Sequence, residues 1–346
     1  MNKALGMFGP FFAKSEAYTI PPFQILITNF RLMKFIKPKI VVSKCLEFDT
    51  CRYDGQMITN RYVDKLKNFI EFKPICPEVE IGMGTPRAPI RVIKVDDEMT
   101  IYQEETKKDF TQKMNNFSDS YLSKLNDVDG FILKSRSPSC GIGTSKIYTK
   151  NNPAPIGTGS GLFASKVIES FPNYPREDEK RLNNPYLREH FFTSIFTLAD
   201  FRSVTDMNSL YEYHAKHKYL FMAYNQVQMR KMGKIAANEN KDNTKTIIKN
   251  YFEVLLTLLS KRARYTSNIN IHLHVMGYFK KFISSKEKGH FLKLIEEYRM
   301  RRVHLSTINE LLSSWILRFE DEYLAKQSFF KPFPVELIEK ETSRFL

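Results

Sequence analysis

The chain has 346 residues, of which 42% are hydrophobic, 13% aromatic and 26% charged, and its formal net charge is +15. This composition excludes a collagen-like, low-complexity or disordered chain, and the length is enough for two domains. No stretch approaches the roughly 18 to 20 uncharged apolar residues of a membrane span, so we expect no membrane role and a cytoplasmic location.

The first predicted segment is a poorly ordered leader over residues 1–36. Its beginning, Met1 to Phe12, weakly resembles a signal segment but has no clear small-residue cleavage site. A flexible extension is one interpretation. Another is a natural start at Met33, which stands just before the first strong strand pattern.

Residues 37–204 predict an α/β domain whose mainly parallel sheet is flanked by helices, as in Rossmann-like folds. Buried strands are indicated by β-branched or apolar runs, and helices by apolar residues three and four apart. The predicted strands are 38–43, 73–75, 89–95, 131–133 and 147–148, and the predicted helices are 60–72, 106–125 and 160–171, with a loop at 157–161.

Residues 205–346 predict an all-α bundle. Apolar periodicity indicates about five helices, over 211–232, 245–259, 271–283, 288–298 and 306–328, separated by short polar breaks at 238–243, 265–270 and 284–285. This part is also the more basic, with 24 Lys and Arg against 15 Asp and Glu.

All four cysteines lie in the first domain. Cys45, Cys76 and Cys140 each come after a predicted parallel strand, and the carboxyl ends of parallel strands share one edge of a sheet. We therefore expect three thiols to converge there, which favours metal or cluster binding, since the chain lacks a convincing export signal. Free cysteines are also common packing residues, and that alternative stays open.

Polar groups accompany the thiols in the same loops. The segment 135–143 is rich in serine and glycine beside Cys140, and such loops can donate hydrogen bonds to sulfur or to an anion. The loop after Cys76 contains Glu78, Glu80 and Arg87, and Cys51 is followed by Arg52 and Asp54. Each loop alone could be an ordinary charged surface loop. Together they place many polar groups at one edge of the predicted sheet, which is typical of an active site.

Three of these segments resemble the thiouracil desulfidase (TudS-like) family. They are 43–46 with 51–55, then 76–87, then 130–141, in that order along the chain. The second half is similar to the YbgA family in the segments 214–223, 270–281 and 331–334.

The first resemblance implies a [4Fe-4S] cluster held by Cys45, Cys76 and Cys140, with one open iron that captures the sulfur of a thiolated pyrimidine. Ser137 matches a serine that assists the substrate, and Glu78 is the carboxylate we expect to move protons with it. The implied reaction is hydrolytic removal of sulfur without net redox change.

Two positions depart from the simplest form of that pattern. Cys51 could be a fourth ligand that closes the cluster, a persulfide carrier or an inert thiol. The family also uses a carboxylate shortly before its second cysteine, and Glu71 is the nearest acidic residue in this chain.

The helical half suggests an alternative function. Basic stretches interleaved with Tyr and Phe would suit RNA or another nucleic acid, so the chain could be a nucleic-acid-associated protein whose thiol site is structural or redox-sensing. A solvated basic face is the simpler interpretation. His214 and His217 could bind a metal with His272 or His274, but buried, hydrogen-bonded histidines are the preferred interpretation.

Overall fold

A computed structural model describes residues 34–150, 152–239 and 241–338. The described residues from Phe35 onward belong to one compact unit. The leader prediction falls mostly on residues 1–33, which lie outside the described range. No helix among the described residues is long and apolar enough to cross a membrane.

A four-stranded parallel sheet carries the site. Its strands are β1 (Lys39–Ser43), β2 (Glu71–Ile75), β6 (Gly130–Leu133) and β9 (Arg176–Asp178), in the spatial order β2-β1-β6-β9. Every neighbouring pair is parallel, with Val41 opposite both Lys73 and Phe131. The central strands β1 and β6 are buried on both faces, which explains their uninterrupted apolar runs.

Two helical layers cover this sheet. Ile40 and Val42 of β1 pack on the face covered by α1 (Arg61–Leu66) and α5 (Pro185–Phe201). Val41, between them, packs on the opposite face against α3 (Thr111–Ser123) and α4 (Leu162–Ser170). This alternation is the period of two expected of a strand buried on both sides.

A second sheet makes the α/β part less purely parallel than the sequence predicts. It contains β3 (Arg91–Val95), β4 (Glu98–Gln103), β5 (Lys108–Asp109), β7 (Ser145–Thr149) and β8 (Asn152–Gly159), in the order β5-β4-β3-β7-β8. Only the pair β3 and β7 is parallel. The predicted loop at 157–161 is thus partly wrong, because residues 157–159 end β8.

The part of the described chain after β9 contains helices and connecting loops but no strand, as predicted. The helices are α2 (Pro77–Glu80) in the first part, and then α6 (Met207–Tyr224), α7 (Gln226–Ala237), α8 (Thr244–Leu259), α9 (Tyr265–Phe279), α10 (Ser285–Arg299), α11 (Leu305–Arg318) and α12 (Glu322–Ala325). The predicted boundaries at residues 36 and 204 remain predictions.

Two differences in the helical part have local causes. The single helix predicted at 211–232 is split at Asn225, whose backbone is extended and whose side chain accepts hydrogen bonds from the first amides of α7. The break predicted at 265–270 is instead the beginning of α9. The polar Ser and Asn residues of this segment are typical of a loop, but Asn268 and Ile269 are buried in the first turns of the helix.

Candidate active site

The three predicted ligand cysteines follow three neighbouring strands of the parallel sheet. Cys45 is two residues beyond β1, Cys76 comes directly after β2, and Cys140 lies in the loop after β6. Because β1 pairs in parallel with both β2 and β6, these loops leave the same edge of the sheet. All four cysteines are free and buried, with exposures of 4–9%.

Cys51 lies among these thiols. Its side chain lies close enough to the thiols of Cys45 and Cys76 for them to shift its pKa. The Cys76 Sγ is also 3.8 Å from the backbone oxygen of Cys51. Cys140 is close enough to Cys76 and Glu78 to feel their charges. Cys45, Cys51 and Cys76 therefore share one apolar cluster, whereas Cys140 packs in the cluster on the opposite face of the sheet.

The loop that carries Cys140 is held in a fixed shape by its own serines and by α4. Ser137 Oγ accepts hydrogen bonds from the backbone amides of Ser139, at 3.3 Å, and Cys140, at 3.1 Å. The amides of Leu162 and Ala164, in the first turn of α4, donate to the carbonyls of Pro138 and Ser139. The start of α4 thus fixes where the Cys140 thiol lies.

Gly161 allows this close approach. A Cβ atom at position 161 would lie 2.5 Å from the Pro138 carbonyl oxygen and 2.6 Å from that of Ser139. Any side chain at this position would therefore push the Cys140 loop away from the helix.

A buried carboxylate connects the loops. Ser139 Oγ donates a hydrogen bond to Glu78 Oε1 at 2.6 Å, and Ser137 Oγ lies 3.4 Å from the same oxygen. The other carboxylate oxygen pairs with Arg87 through Nε at 3.0 Å and Nη2 at 2.5 Å. Arg87 Nη1 also donates to the carbonyl of Cys51 at 3.0 Å. One network therefore reaches from the Cys51 loop to the Cys140 loop.

The protein environment keeps the thiols of Cys51, Cys76 and Cys140 protonated in the absence of any bound group. The hydrogen bond with Cys45, with further burial, raises the pKa of Cys51 to about 11. Burial raises the pKa of Cys140 to about 12, and the hydrogen bond with Cys51 raises that of Cys76 above its ordinary value. A positively charged metal centre would offset this effect by stabilising the thiolates.

Two polar residues of the site were missed in the sequence. Ser43 ends β1, is 2% exposed, and its hydroxyl contacts the Cys140 thiol while accepting a hydrogen bond from the Lys134 amide at 2.8 Å. Glu179 accepts hydrogen bonds from Lys134 and Ser135 at 2.7–2.8 Å and fixes the beginning of the Cys140 loop. The sequence could have indicated Ser43, because it is a polar residue at the end of an otherwise apolar strand.

The other acidic and basic candidates lie elsewhere. Glu71 is exposed at the first position of β2, whereas Cys76 follows the last, so the strand separates Glu71 from the thiols. Glu80 is exposed, and Arg52 and Asp54 form an ion pair with each other at 3.2 Å. Glu78 is thus the carboxylate that meets the serines of the site.

The histidines of the helical part are engaged in packing and hydrogen bonds, as preferred from the sequence. His214 Nδ1 is 2.9 Å from the Tyr251 hydroxyl, and His217 lies between Asp200 and Ser328. His272 Nε2 lies 2.8 Å from Asn309 Oδ1. Within the described ranges, no set of three or more His, Cys, Asp or Glu side chains is grouped as a ready-made site for a metal ion.

Two family models match the chain in separate regions. The model described as 2-thiouracil desulfurase matches residues 40–179, and a model of a protein of unknown function, DUF1722, matches residues 218–334. The first match spans both sheets and all four cysteines. The second lies within the helical part.

Curated relatives match the same two regions. YbbK of Bacillus subtilis (strain 168) is 30% identical over 154 residues, which cover 42% of this chain and 98% of YbbK. YbgA of Escherichia coli (strain K12) is 28% identical over 127 residues, 36% of this chain and 75% of YbgA. Both relatives are described as uncharacterised proteins.

One solved structure is also similar. It is a [4Fe-4S]-dependent thiouracil desulfidase, TudS, which is 27% identical, covers 42% of this chain and 94% of that chain, and has a TM-score of 0.35. The family models and curated relatives agree with the motifs that surround the cysteines and with those of the helical half. The chain belongs to the TudS-like thiouracil desulfidase family, and it joins that region to a YbgA-like helical one.

Proposed function

We propose that this protein is an iron–sulfur-dependent desulfidase that removes sulfur from a thiolated pyrimidine or a related small molecule. The observation that carries the proposal is the placement of buried thiols after neighbouring strand ends, beside a carboxylate that two serine hydroxyls of the Cys140 loop contact. The 2-thiouracil desulfurase model covers this whole constellation.

The donor set fits the proposed cofactor. Thiolates are the usual ligands of iron–sulfur clusters, and the site offers several free, buried thiols. Ser43 and Ser139 place hydroxyls at the Cys140 sulfur, the latter at 3.7 Å, and such hydrogen bonds tune a cluster. Cys45, Cys76 and Cys140 would hold a [4Fe-4S] cluster, which supplies a soft Lewis acid toward the sulfur of the substrate.

The protein's own residues would manage the protons. Replacing a thiocarbonyl by a carbonyl consumes one water and releases hydrogen sulfide, so the reaction needs proton transfers but no electrons. Glu78 is placed to accept a proton, because its Oε1 already accepts the hydrogen bond from Ser139. Ser137 is partly exposed whereas Glu78 is buried, and its hydroxyl lies 3.4 Å from Glu78 Oε1, so Ser137 would contact the substrate and pass a proton to or from Glu78.

Arg87 would orient the base. Its guanidinium holds Glu78 through two nitrogen atoms, and this leaves Oε1 directed at the serines. Paired contacts of this kind fix a carboxylate in position as well as in charge.

The experiment is sulfide release from 2-thiouracil by anaerobically reconstituted protein. We expect iron–sulfur colour and turnover in the natural sequence, and loss of both in Cys140→Ala. Ser137→Ala should retain the colour and lose most of the turnover, since it removes a hydroxyl but no ligand. A fully loaded protein that leaves 2-thiouracil and 4-thiouracil intact would contradict the proposal.

One observation supports the alternative function. Cys51 contacts Cys45 and Cys76, as a closed, structural thiol site would require. In that case the protein would be a nucleic-acid-associated binding protein, and its basic helical part would bind RNA with an affinity that falls steeply with salt. Absence of RNA binding at low salt would exclude this function.

A further inference from the structure

Cys51 is a fourth thiol at a site for which three ligands suffice. It is 4% exposed and lies in one apolar cluster with Cys45 and Cys76, close to both thiols. Packing alone would account for one buried thiol among hydrocarbon side chains. Its position beside two proposed ligands indicates a role toward the same bound group.

The backbone holds Cys51 in this position. Its carbonyl accepts the hydrogen bond from Arg87 Nη1 at 3.0 Å. The loop that carries it is closed at its base, where the amide of Ile58 donates to the carbonyl of Cys45 at 2.8 Å. Cys51 is therefore tied to the loop of one proposed ligand and to Arg87, which ends the loop of another.

We infer that Cys51 is the fourth ligand of the cluster in the resting protein and that the sulfur of the substrate displaces it. This inference rests on the proposed function. The exchange would replace the Cys51 thiolate by the sulfur of the substrate without transfer of electrons, and the released Cys51 thiolate would take up one proton from water. A closed resting site would protect an otherwise open iron from loss.

The test measures how readily one iron is lost. Anaerobically loaded protein is treated with ferricyanide, and the EPR signal of the resulting [3Fe-4S] cluster is followed with time. An iron without a thiolate ligand should leave first, so Cys51→Ala and Cys51→Ser should lose it about tenfold faster than the natural sequence. Because Ser preserves most of the volume of Cys, Cys51→Ser separates loss of the ligand from loss of packing. Gln56→Ala changes an exposed side chain of the same loop and should behave as the natural sequence.

The outcomes distinguish this inference from the proposed function. Equal rates in the natural sequence and in both Cys51 variants, each with a full cluster, would overturn the role of Cys51 alone. Failure of the natural sequence to assemble any cluster would overturn the proposed function and this inference with it. With saturating 2-thiouracil, the natural sequence should lose iron no faster than without it, because the sulfur of the substrate would occupy the position that Cys51 leaves. Iron loss as fast as in the Cys51 variants would contradict the exchange.

Discussion

Glu78 is the residue on which the proposed proton transfer depends. It is 8% exposed, accepts the short hydrogen bond from Ser139, and is paired with Arg87. Glu78→Gln preserves the shape but removes the base, so turnover of the loaded protein should fall by about 10²–10⁴ while cluster content is unchanged.

Glu80→Gln is the matched control for Glu78. It changes the same chemical group two residues further along, where the side chain is exposed, and it should leave turnover unchanged. The measurement is the rate of sulfide release per cluster. Full activity in Glu78→Gln would contradict the assigned role.

The sequence predicts which residues form the candidate site but not which side chains and carbonyls they contact. The motifs place Cys45, Cys76 and Cys140 after strands, and this follows from hydrophobic periodicity alone. That Arg87 reaches both Glu78 and the Cys51 carbonyl depends on the path of the loop between them, which no periodic pattern encodes.

At the scale of elements, the loop after β6 is secured by a residue that follows β9. Glu179 is 5% exposed and binds Lys134 and Ser135. Burial alone would raise its pKa, but the hydrogen bonds from Lys134 and the Ser135 amide hold the pKa below its ordinary value. The carboxylate therefore stays charged and fixes the start of the Cys140 loop.

Removing the Glu179 carboxylate should lower the stability of the protein. Glu179→Ala leaves the Lys134 ammonium without its buried partner, so the free energy of unfolding should fall by about 3–5 kcal/mol. Glu169→Ala breaks an exposed pair with Lys166, whose atoms are 3.8 Å apart, and should cost at most about 0.5 kcal/mol. Urea denaturation gives both values, and equal losses would refute the structural role of Glu179.

Three of the strands missed in the sequence lack a clear local signal. β9 is three residues long and acidic, and β5 has only two residues, so neither contains a period to detect. β8 is exposed along most of its length and includes two prolines, which argues against a strand in the sequence. Its pairing with β7 comes from tertiary context rather than from local preference.

At the scale of the whole molecule, the end of the helical part returns to the α/β core. Phe333 is 6% exposed and packs edge to face on Phe192 of α5, in the same apolar cluster as Cys45, Cys51 and Cys76. Leu337, one residue before the end of the described chain, joins this cluster. The two matched family regions therefore share one core.

Truncation of this anchor should destabilise the molecule. Phe333→Ala removes a buried ring and should cost about 3–5 kcal/mol, whereas Phe282→Ala, at a position 63% exposed, should cost little. Thermal unfolding followed by circular dichroism would measure both. A Phe333→Ala protein as stable as Phe282→Ala would show that the packing is dispensable.

Two histidines with lowered pKa values should make the protein less stable in acid. Burial lowers the pKa of His190 to about 4, and that of His272 to about 4 despite its bond to Asn309. In the unfolded chain a histidine titrates near its ordinary value of about 6.5. Below that pH the unfolded state binds a proton that the folded state does not, so stability falls until about pH 4.

The loss of stability in acid should depend on His190 and His272. Each of the two histidines should contribute up to about 1.4 kcal/mol of lost stability per pH unit within that window. His272→Gln keeps a hydrogen-bonding side chain without the titration and should make the slope shallower, whereas His290→Gln, at an exposed position, should not. Urea midpoints from pH 7.5 to 5, in steps of about half a unit, would reveal the difference. An unchanged slope in His272→Gln would contradict the assignment.

The central claim is that the thiols at the carboxyl edge of the parallel sheet hold an iron–sulfur cluster, and the most direct test is the iron and sulfide content of anaerobically reconstituted protein. We predict about four iron and four sulfide per chain in the natural sequence. Cys45→Ala, Cys76→Ala and Cys140→Ala should each lose most of both while remaining folded by circular dichroism. A natural sequence that binds no iron, or three variants that bind as much as it does, would contradict the account.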